Sequence, residues 1–285
     1  MPAGLLVLLK PAGMTSFEVV AWARRRLGEK KIGHAGTLDP PAAGVMVLAV
    51  GPTTRWLSFL EGTKAYVGEV VFGRSTTTAD ATGSVTEEQD SCVTRDQIEG
   101  VLPRFIGDLM QRPPAVSAVR HEGVRSYSRV RAGEAVVLPE RPVRVHDLDV
   151  LAFDPGRQAV RLWVRCSAGT YVRSLAVDLG RALGVPAHLS FLVRTAVGPF
   201  DLSAAAAMQD DVTLVCRPLE DGMSHWPRLD LDESQARDFM CGRAVDGCAL
   251  RDIDREAAAW HRERFIGLGA REGDLFRPRR VVPSL

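Results

Sequence analysis

The sequence predicts an α+β fold: a large body on a mixed, largely antiparallel sheet with flanking helices, then a small C-terminal β-barrel. Three observations carry this. Long β-branched and aromatic runs follow one another around turn signals instead of alternating one for one with helices. Only a few segments combine a cap with a helical apolar rhythm. The last stretch, "RFIGLGAREGDLFRPRRVV", is short strands spaced by turn glycines.

The elements follow in order. "LLVLLK" reads as a strand. "TSFEVVAWARRRLG" reads as a helix, with Thr15 and Glu18 as a capping box and Phe17, Val20 and Leu27 as its apolar face. "VMVLAV" (45–50) suits a buried strand, and "KAYVGEVVFG" (64–73) is another. "TTTADATG" (76–83) is a polar turn. Thr94 and Gln97 form a second capping box before a helix to about Arg104. "RPVRVHDLDVLAF" and "AVRLWVRCSAG" are a strand pair around "DPGRQ". Residues 170–184 form an amphipathic helix ending at the C-cap glycine Gly184. "HLSFLVRTAVGPF" is strand again, and the acidic stretch 201–238 is expected to hold one more helix, ahead of "HWPRLDLDESQARDFMCGRAV". Two domains are expected, 1–225 and 226–285.

Composition narrows the classes. An apolar fraction of 46% argues against disorder. The apolar run near the N-terminus is too short to span a membrane and lacks the basic lead of a signal peptide, so a cytoplasmic location is expected. Five cysteines with no CxxC spacing argue against a disulfide framework or a zinc site. There is no HExxH, P-loop or GxGxxG, so neither metal nor cofactor is expected. Net charge is only +1, yet charge is segregated: residues 112–200 carry 13 basic against 7 acidic side chains, whereas 201–238 carry 3 against 9. Binding follows local potential, so a nucleic-acid partner stays open. Candidate contacts are "RRRLGEKK" (24–31), "RPRR" (277–280) and "RSYSRVR" (125–131); the last interleaves an aromatic with arginines.

One carboxylate stands out in "KIGHAGTLDPPAAGVMVLAVG". Gly33 and Gly36 allow close backbone approach, while Pro40 and Pro41 stiffen the chain and keep Asp39 out of helical conformation. Local features allow two readings: an Asx turn that closes the loop, or a carboxylate held for chemistry against a buried strand.

Five segments in order, "KPAGMTS", "KIGHAGTLDPPAAGVMVLAVG", "KAYVGEVVFG", "CSAGTYVRSLAVDLG" and "FIGLG…GDLFRPRRVV", resemble the TruB family of tRNA pseudouridine-55 synthases along nearly the whole chain. The resemblance implies a pseudouridine-synthase core over 1–225, with a T-arm-clamping insertion at about 112–140. It implies a PUA-like RNA-binding domain over 226–285. The implied reaction is isomerisation of one T-loop uridine of tRNA by base flipping and rearrangement of its glycosidic bond, without a cofactor. The implied partner is the tRNA T stem-loop, bound by a monomer with no membrane and no obligate protein partner.

The resemblance also implies roles. Asp39 is the catalytic carboxylate, facing positive charge that develops on the sugar. Arg173 gives it a counter-charge and a fixed direction. Tyr66 stacks on the flipped uracil, its hydroxyl a proton donor near the sugar or base. Tyr171 and Leu192 line the uracil pocket, and His34 refills the gap left in the T loop. Asp80 hydrogen-bonds within the T-loop site, Lys10 ties the first strand to the active-site loop, and Arg125 and Arg129 contact phosphates.

The family usually reads "DPLATG" where this chain has "DPPAAG", so Pro41 and Ala43 stiffen the loop and remove a hydroxyl. Three rivals remain: the catalytic subunit of a guide-RNA-dependent pseudouridylation complex, a non-catalytic RNA-binding or RNA-chaperone protein, and a carboxylate glycosidase. The glycosidase would need a second carboxylate across the bond, and the sequence offers no convincing one.

Overall fold

A computed structural model describes residues 3–60, 62–116, 138–209, 214–246 and 256–282, with the backbone alone of Arg120–His121 and Val124–Arg125. The chain forms two compact units, Met1–Cys216 and Arg217–Leu285.

The first unit begins with β1 (Gly4–Lys10), α1 (Ser16–Leu27), β2 (Ile32–His34), β3 (Ala43–Val50), β4 (Lys64–Phe72), β5 (Arg74–Thr76) and β6 (Val85–Glu88). It continues through α2 (Arg95–Val101), β7 (Gly107–Gln111), β8 (Arg120–His121), β9 (Val124–Arg125), β10 (Arg141–Asp154) and β11 (Ala159–Cys166). It ends with α3 (Val172–Ala182), β12 (Ala187–Val197), β13 (Phe200–Asp201) and β14 (Ala206–Ala207). The main sheet runs β14-β1-β3-β12-β4-β11-β10-β7, with β2 and β13 paired to β3 and β12. It is mixed: β1–β14 and β3–β12 are parallel and the other pairs antiparallel.

Apolar clusters among the described residues cover this sheet. α1 packs Val19, Val20 and Ala23 onto Leu6, Leu8, Met46 and Leu48. Each buried valine stabilises the pair by about 2 kcal/mol. α3 packs Leu175, Ala176 and Leu179 with Val70, Val160, Leu162 and Val164. Both expected capping boxes are present. The face of α1 differs from expectation at Phe17, which is 70% exposed. The inward residue of the first turn is Ser16, whose Oγ accepts from the Leu38 N–H and donates to the Leu38 carbonyl, both at 2.9 Å. One helical step turns Phe17 away from that face.

The region after 201 also differs. Among the described residues no α-helix lies between 201 and 232. "AAAAM" has helical propensity, but Ala206 and Ala207 instead pair with Leu8 and Leu9 at the sheet edge, so tertiary pairing overrides propensity. The helix lies later, as α4 (Glu233–Met240), entered through a capping box of Asp232 and Gln235. It covers the sheet of the second unit, formed by β15 (Arg228–Asp230), β16 (Val245–Asp246), β17 (Glu256–His261), β18 (Arg264–Glu272) and β19 (Leu275–Val281) in the order β15-β17-β18-β19-β16. Leu229, Phe239, Ile266 and Phe276 form its core. Pro278 of "RPRR" sits beside a bulge in β19, a position that spares a ladder donor.

One junction positions the site. β3 meets β12 through only two register pairs, Ala43 with Val193 and Gly44 with Arg194. This seam joins the two halves of the sheet, and the Asp39 loop feeds directly into it. Gly44 has φ +117°, and a Cβ there would lie 2.1 Å from the Arg194 carbonyl oxygen. Gly44→Ala should therefore cost about 3 kcal/mol or more in urea unfolding. An unchanged midpoint would mean that the strands do not approach this closely.

Candidate active site

The Asp39 loop has no regular secondary structure, yet its backbone groups are bonded. The Ala35 N–H donates to the Val47 carbonyl, and the Gly36 N–H to His34 Nδ1 at 3.3 Å. The carbonyls of Gly36 and Thr37 accept from the Arg194 guanidinium, each at 3.2 Å. Leu38 is held by Ser16. The Asp39 carbonyl accepts from the Ala42 N–H and closes a turn. The Pro40 carbonyl accepts from the Gly13 N–H at 2.8 Å and from Lys10 Nζ at 3.1 Å. The turn is thus closed by main chain, which leaves the Asp39 carboxylate free to point elsewhere.

It points at Arg173. Asp39 Oδ2 lies 2.9 Å from Arg173 Nη2, with Arg173 almost fully buried and the Asp39 side chain 38% exposed. Arg173 is held from several sides. Its Nη1 donates to the Thr78 carbonyl and its Nη2 to the Val116 carbonyl, each at 2.9 Å. Asp80 Oδ2 lies 3.6 Å away, while Asp80 Oδ1 accepts from Thr78 Oγ1, the Thr82 N–H and Thr82 Oγ1. The "TTTADATG" turn therefore buttresses Arg173 from behind.

Asp39, Lys64, Tyr66, Tyr171, Arg173 and Leu192 line one cleft of about 280 Å³. Each arrives by a different route. Lys64 and Tyr66 alternate along β4, Leu192 lies on β12, Tyr171 caps α3, and Asp39 precedes β3. A narrower hollow on the other side of Asp39 and Arg173 is lined by Pro41, Asp80, Ala81 and Phe191. Gln111 holds the Tyr171 backbone twice: its Oε1 accepts from the Tyr171 N–H at 2.8 Å and its Nε2 donates to the Tyr171 carbonyl at 3.1 Å.

Five of the residues singled out from the sequence, Asp39, Tyr66, Tyr171, Arg173 and Leu192, thus share one cleft. Asp80 stands behind it. His34 is not among the cleft-lining residues; it lies on β2, half-buried, with its Nδ1 accepting from Gly36. Burial, with the nearby Arg194 and Lys64 charges, lowers its pKa below the usual histidine value. Lys10 donates to Pro40, and burial lowers its pKa to about 8 against the pull of Asp39. Arg125 lies in β9, its side chain outside the described residues; Arg129 and most of the 112–140 insertion also lie outside them. The sequence reading passed over Lys64, Gln111 and Arg194. An arginine inside "FLVRTAV" was the available signal, because a charge in an apolar strand must find polar partners.

Burial pushes the Tyr66 phenol up to about 12, against the opposing influence of Arg194. The folded value lies above the unfolded one of 10.0, so this contribution to stability is complete below pH 10 and is lost as pH rises towards 12. An alkaline titration should show a late tyrosine absorbance phase that Tyr66→Phe removes. Ionisation of every tyrosine near pH 10 in folded protein would contradict this burial.

The chain has known relatives. Residues 24–172 match the model of the TruB family pseudouridylate synthase N-terminal domain, and 173–218 that of the tRNA pseudouridylate synthase B C-terminal domain. The chain is 41% identical to tRNA pseudouridine synthase B of Carboxydothermus hydrogenoformans, covering 98% of both chains. It is 37% identical to the protein of that name from Stutzerimonas stutzeri, covering 99% of this chain and 96% of the other. Among solved structures it resembles a chain of a Cbf5-Nop10-Gar1 complex, with TM-score 0.74 and 27% identity over 98% of this chain and 84% of that one. With family models over both parts of the first unit and full-length relatives above 30% identity, the chain belongs to the TruB family of pseudouridylate synthases.

Proposed function

We propose that the protein converts the uridine at position 55 in the T loop of tRNA to pseudouridine, acting as a cytoplasmic monomer without a guide RNA. The observation that carries this reading is the Asp39–Arg173 pair at 2.9 Å on the wall of a cleft wide enough for one flipped base. The relatives named tRNA pseudouridine synthase B support tRNA as the substrate. They match at 37–41% identity, against 27% for the Cbf5 chain, which favours the stand-alone enzyme over the guide-dependent one.

Breaking the glycosidic bond develops positive charge on the sugar. Asp39 meets that charge by lying beside it, by bonding to C1′ or by taking the C2′ proton. Tyr66, Tyr171 and Leu192 enclose the base, and its rotation inside this enclosure brings C5 to C1′; as the C1′–C5 bond forms, C5 gives up its proton and N1 ends protonated. No atom is gained or lost. His34 enters the T loop beside the site, and basic residues of the insertion, Arg125 and Arg129 among them, hold phosphates. The second unit, the PUA-like domain, adds affinity for the rest of the tRNA.

Purified protein alone should convert one uridine in an isolated T-arm hairpin, in EDTA and without a second RNA. Asp39→Asn should abolish conversion while binding stays within about tenfold, because phosphate contacts dominate affinity. Protein inert on hairpin and whole tRNA, but active once guide RNA and partner proteins are added, would favour the guide-dependent reading. A chain ending at Cys216 should bind tRNA more weakly yet keep its single-turnover rate at saturation. Collapse of that rate in a folded truncation would assign the second unit a part in the chemistry.

A further inference from the structure

The start of α3 is held from outside the helix. Its N-cap residue is Tyr171, which makes no side-chain cap bond and lines the cleft instead. A serine, threonine or aspartate at 171 would cap the helix locally; a tyrosine hydroxyl lies too far from its own backbone to do so. Gln111 supplies bonds there from the last position of β7, 60 residues earlier. It is buried, 4% exposed. Its Oε1 accepts from the Tyr171 N–H at 2.8 Å, and its Nε2 donates to the Tyr171 carbonyl at 3.1 Å. That carbonyl also accepts from the Leu175 N–H, which opens the helix. An amide carries an acceptor and a donor fixed in one plane, and neither a carboxylate nor a thioether can make both bonds.

The bonds continue past Gln111. Ser174 Oγ donates to the Arg112 carbonyl at 2.7 Å. Arg173 Nη2 donates to the Val116 carbonyl at 2.9 Å, and the same nitrogen lies 2.9 Å from Asp39 Oδ2. Residues 111, 112 and 116 thus fasten residues 171, 174 and 173, over separations of 57 to 62 residues. Tyr171 and Arg173 both line the cleft, so two of its walls take their positions from the segment after β7. That segment runs on to Arg125 and Arg129.

We propose that Gln111 is a positioning residue for the isomerisation: it fixes the first turn of α3, and with it Tyr171 at the base and Arg173 against Asp39. The inference rests on the function proposed above and adds a role to it. Gln111 is not among the residues that line the cleft, so it acts through Tyr171 and Arg173. The uracil turns in the cleft between cleavage and reattachment, and C5 must then meet C1′ at bonding distance. A wall displaced by about 1 Å costs about 100-fold in rate. Affinity for the RNA draws mainly on phosphates, so loss of Gln111 slows the reaction and spares binding. One short segment fastens the cleft wall and continues into the phosphate-holding stretch, so grip and chemistry share a joint.

The test uses Gln111→Glu, which keeps the shape. The ionised carboxylate still accepts from the Tyr171 N–H but turns a lone pair towards the Tyr171 carbonyl. Once protonated it regains a donor, and both bonds are restored. Burial beside that carbonyl raises the pKa of the introduced carboxyl, so it takes up its proton within the working range. The charged and titratable groups around it are Arg141 across the ladder, Arg112 with Glu140, and Tyr171 and Arg173 at the start of α3. Wild type shares them, so the ratio of variant to wild-type rate isolates the new carboxyl. Single-turnover rates on a tRNA transcript, with enzyme saturating, should differ about 100-fold at about pH 8.5 and converge to within about fivefold at about pH 5, with binding within about threefold throughout. A ratio flat with pH, high or low, overturns the proposal. Should Gln111→Glu not fold, Gln111→Met decides. A rate about 30-fold or more below wild type at unchanged tRNA affinity supports the role. A rate within about threefold of wild type, or a loss in affinity alone, overturns it. Wild-type protein that converts no uridine would instead count against the proposed function.

Discussion

The carbonyls of residues 36–40 belong to no helix or sheet ladder; that of Asp39 turns back to the Ala42 N–H, and the other four find donors from other parts of the chain. Buried carbonyls without partners are costly, so this requirement selects the surroundings of the loop. Arg194 serves Gly36 and Thr37, Ser16 serves Leu38, and Lys10 with Gly13 serves Pro40. β1, α1, β12 and the turn after β1 are each committed to one stretch of five residues. Asp39 is then held as firmly as if it stood on a strand, although Thr37, Pro40 and Pro41 are exposed on the outer side of the loop.

The arrangement favours function over stability. Arg194 and Lys10 are buried, and among the described residues neither bonds to a carboxylate that would offset its desolvation; both donate to carbonyls. Their positive charges lie behind a loop whose one carboxylate faces a cleft. Lys64 adds a third cation at the cleft wall, its ammonium close to Gly36. A preorganised site of this kind needs little rearrangement as charge develops, which is where electrostatic catalysis gains most.

Much of this was legible in the residues, and what was not has physical reasons. Strands with continuous β-branched runs and both Thr-based capping boxes were readable because their signals are local. The cleft residues were readable because they sit in recognisable motifs. Phe17 misled because apolarity predicts burial, whereas Ser16 took the inward position to bond Leu38, a contact across 22 residues. The helix expected after 201 failed because an alanine-rich stretch found an open sheet edge at β1. Arg194 was passed over because its partners lie some 150 residues earlier, with separations of 149, 157 and 158 along the chain. No local pattern encodes such a contact.

Those separations bear on how the enzyme comes into being. The two-residue seam between β3 and β12 joins a strand made early in synthesis to one made late. Until residues 187–197 leave the ribosome, the Asp39 loop lacks its principal clamp, and the cleft lacks Leu192. Contacts of this span form slowly, because a long loop must close before they bring any return. The half-made protein therefore carries Asp39 on an unfastened segment. The loop and the cleft wall are completed together, when the two halves of the sheet meet.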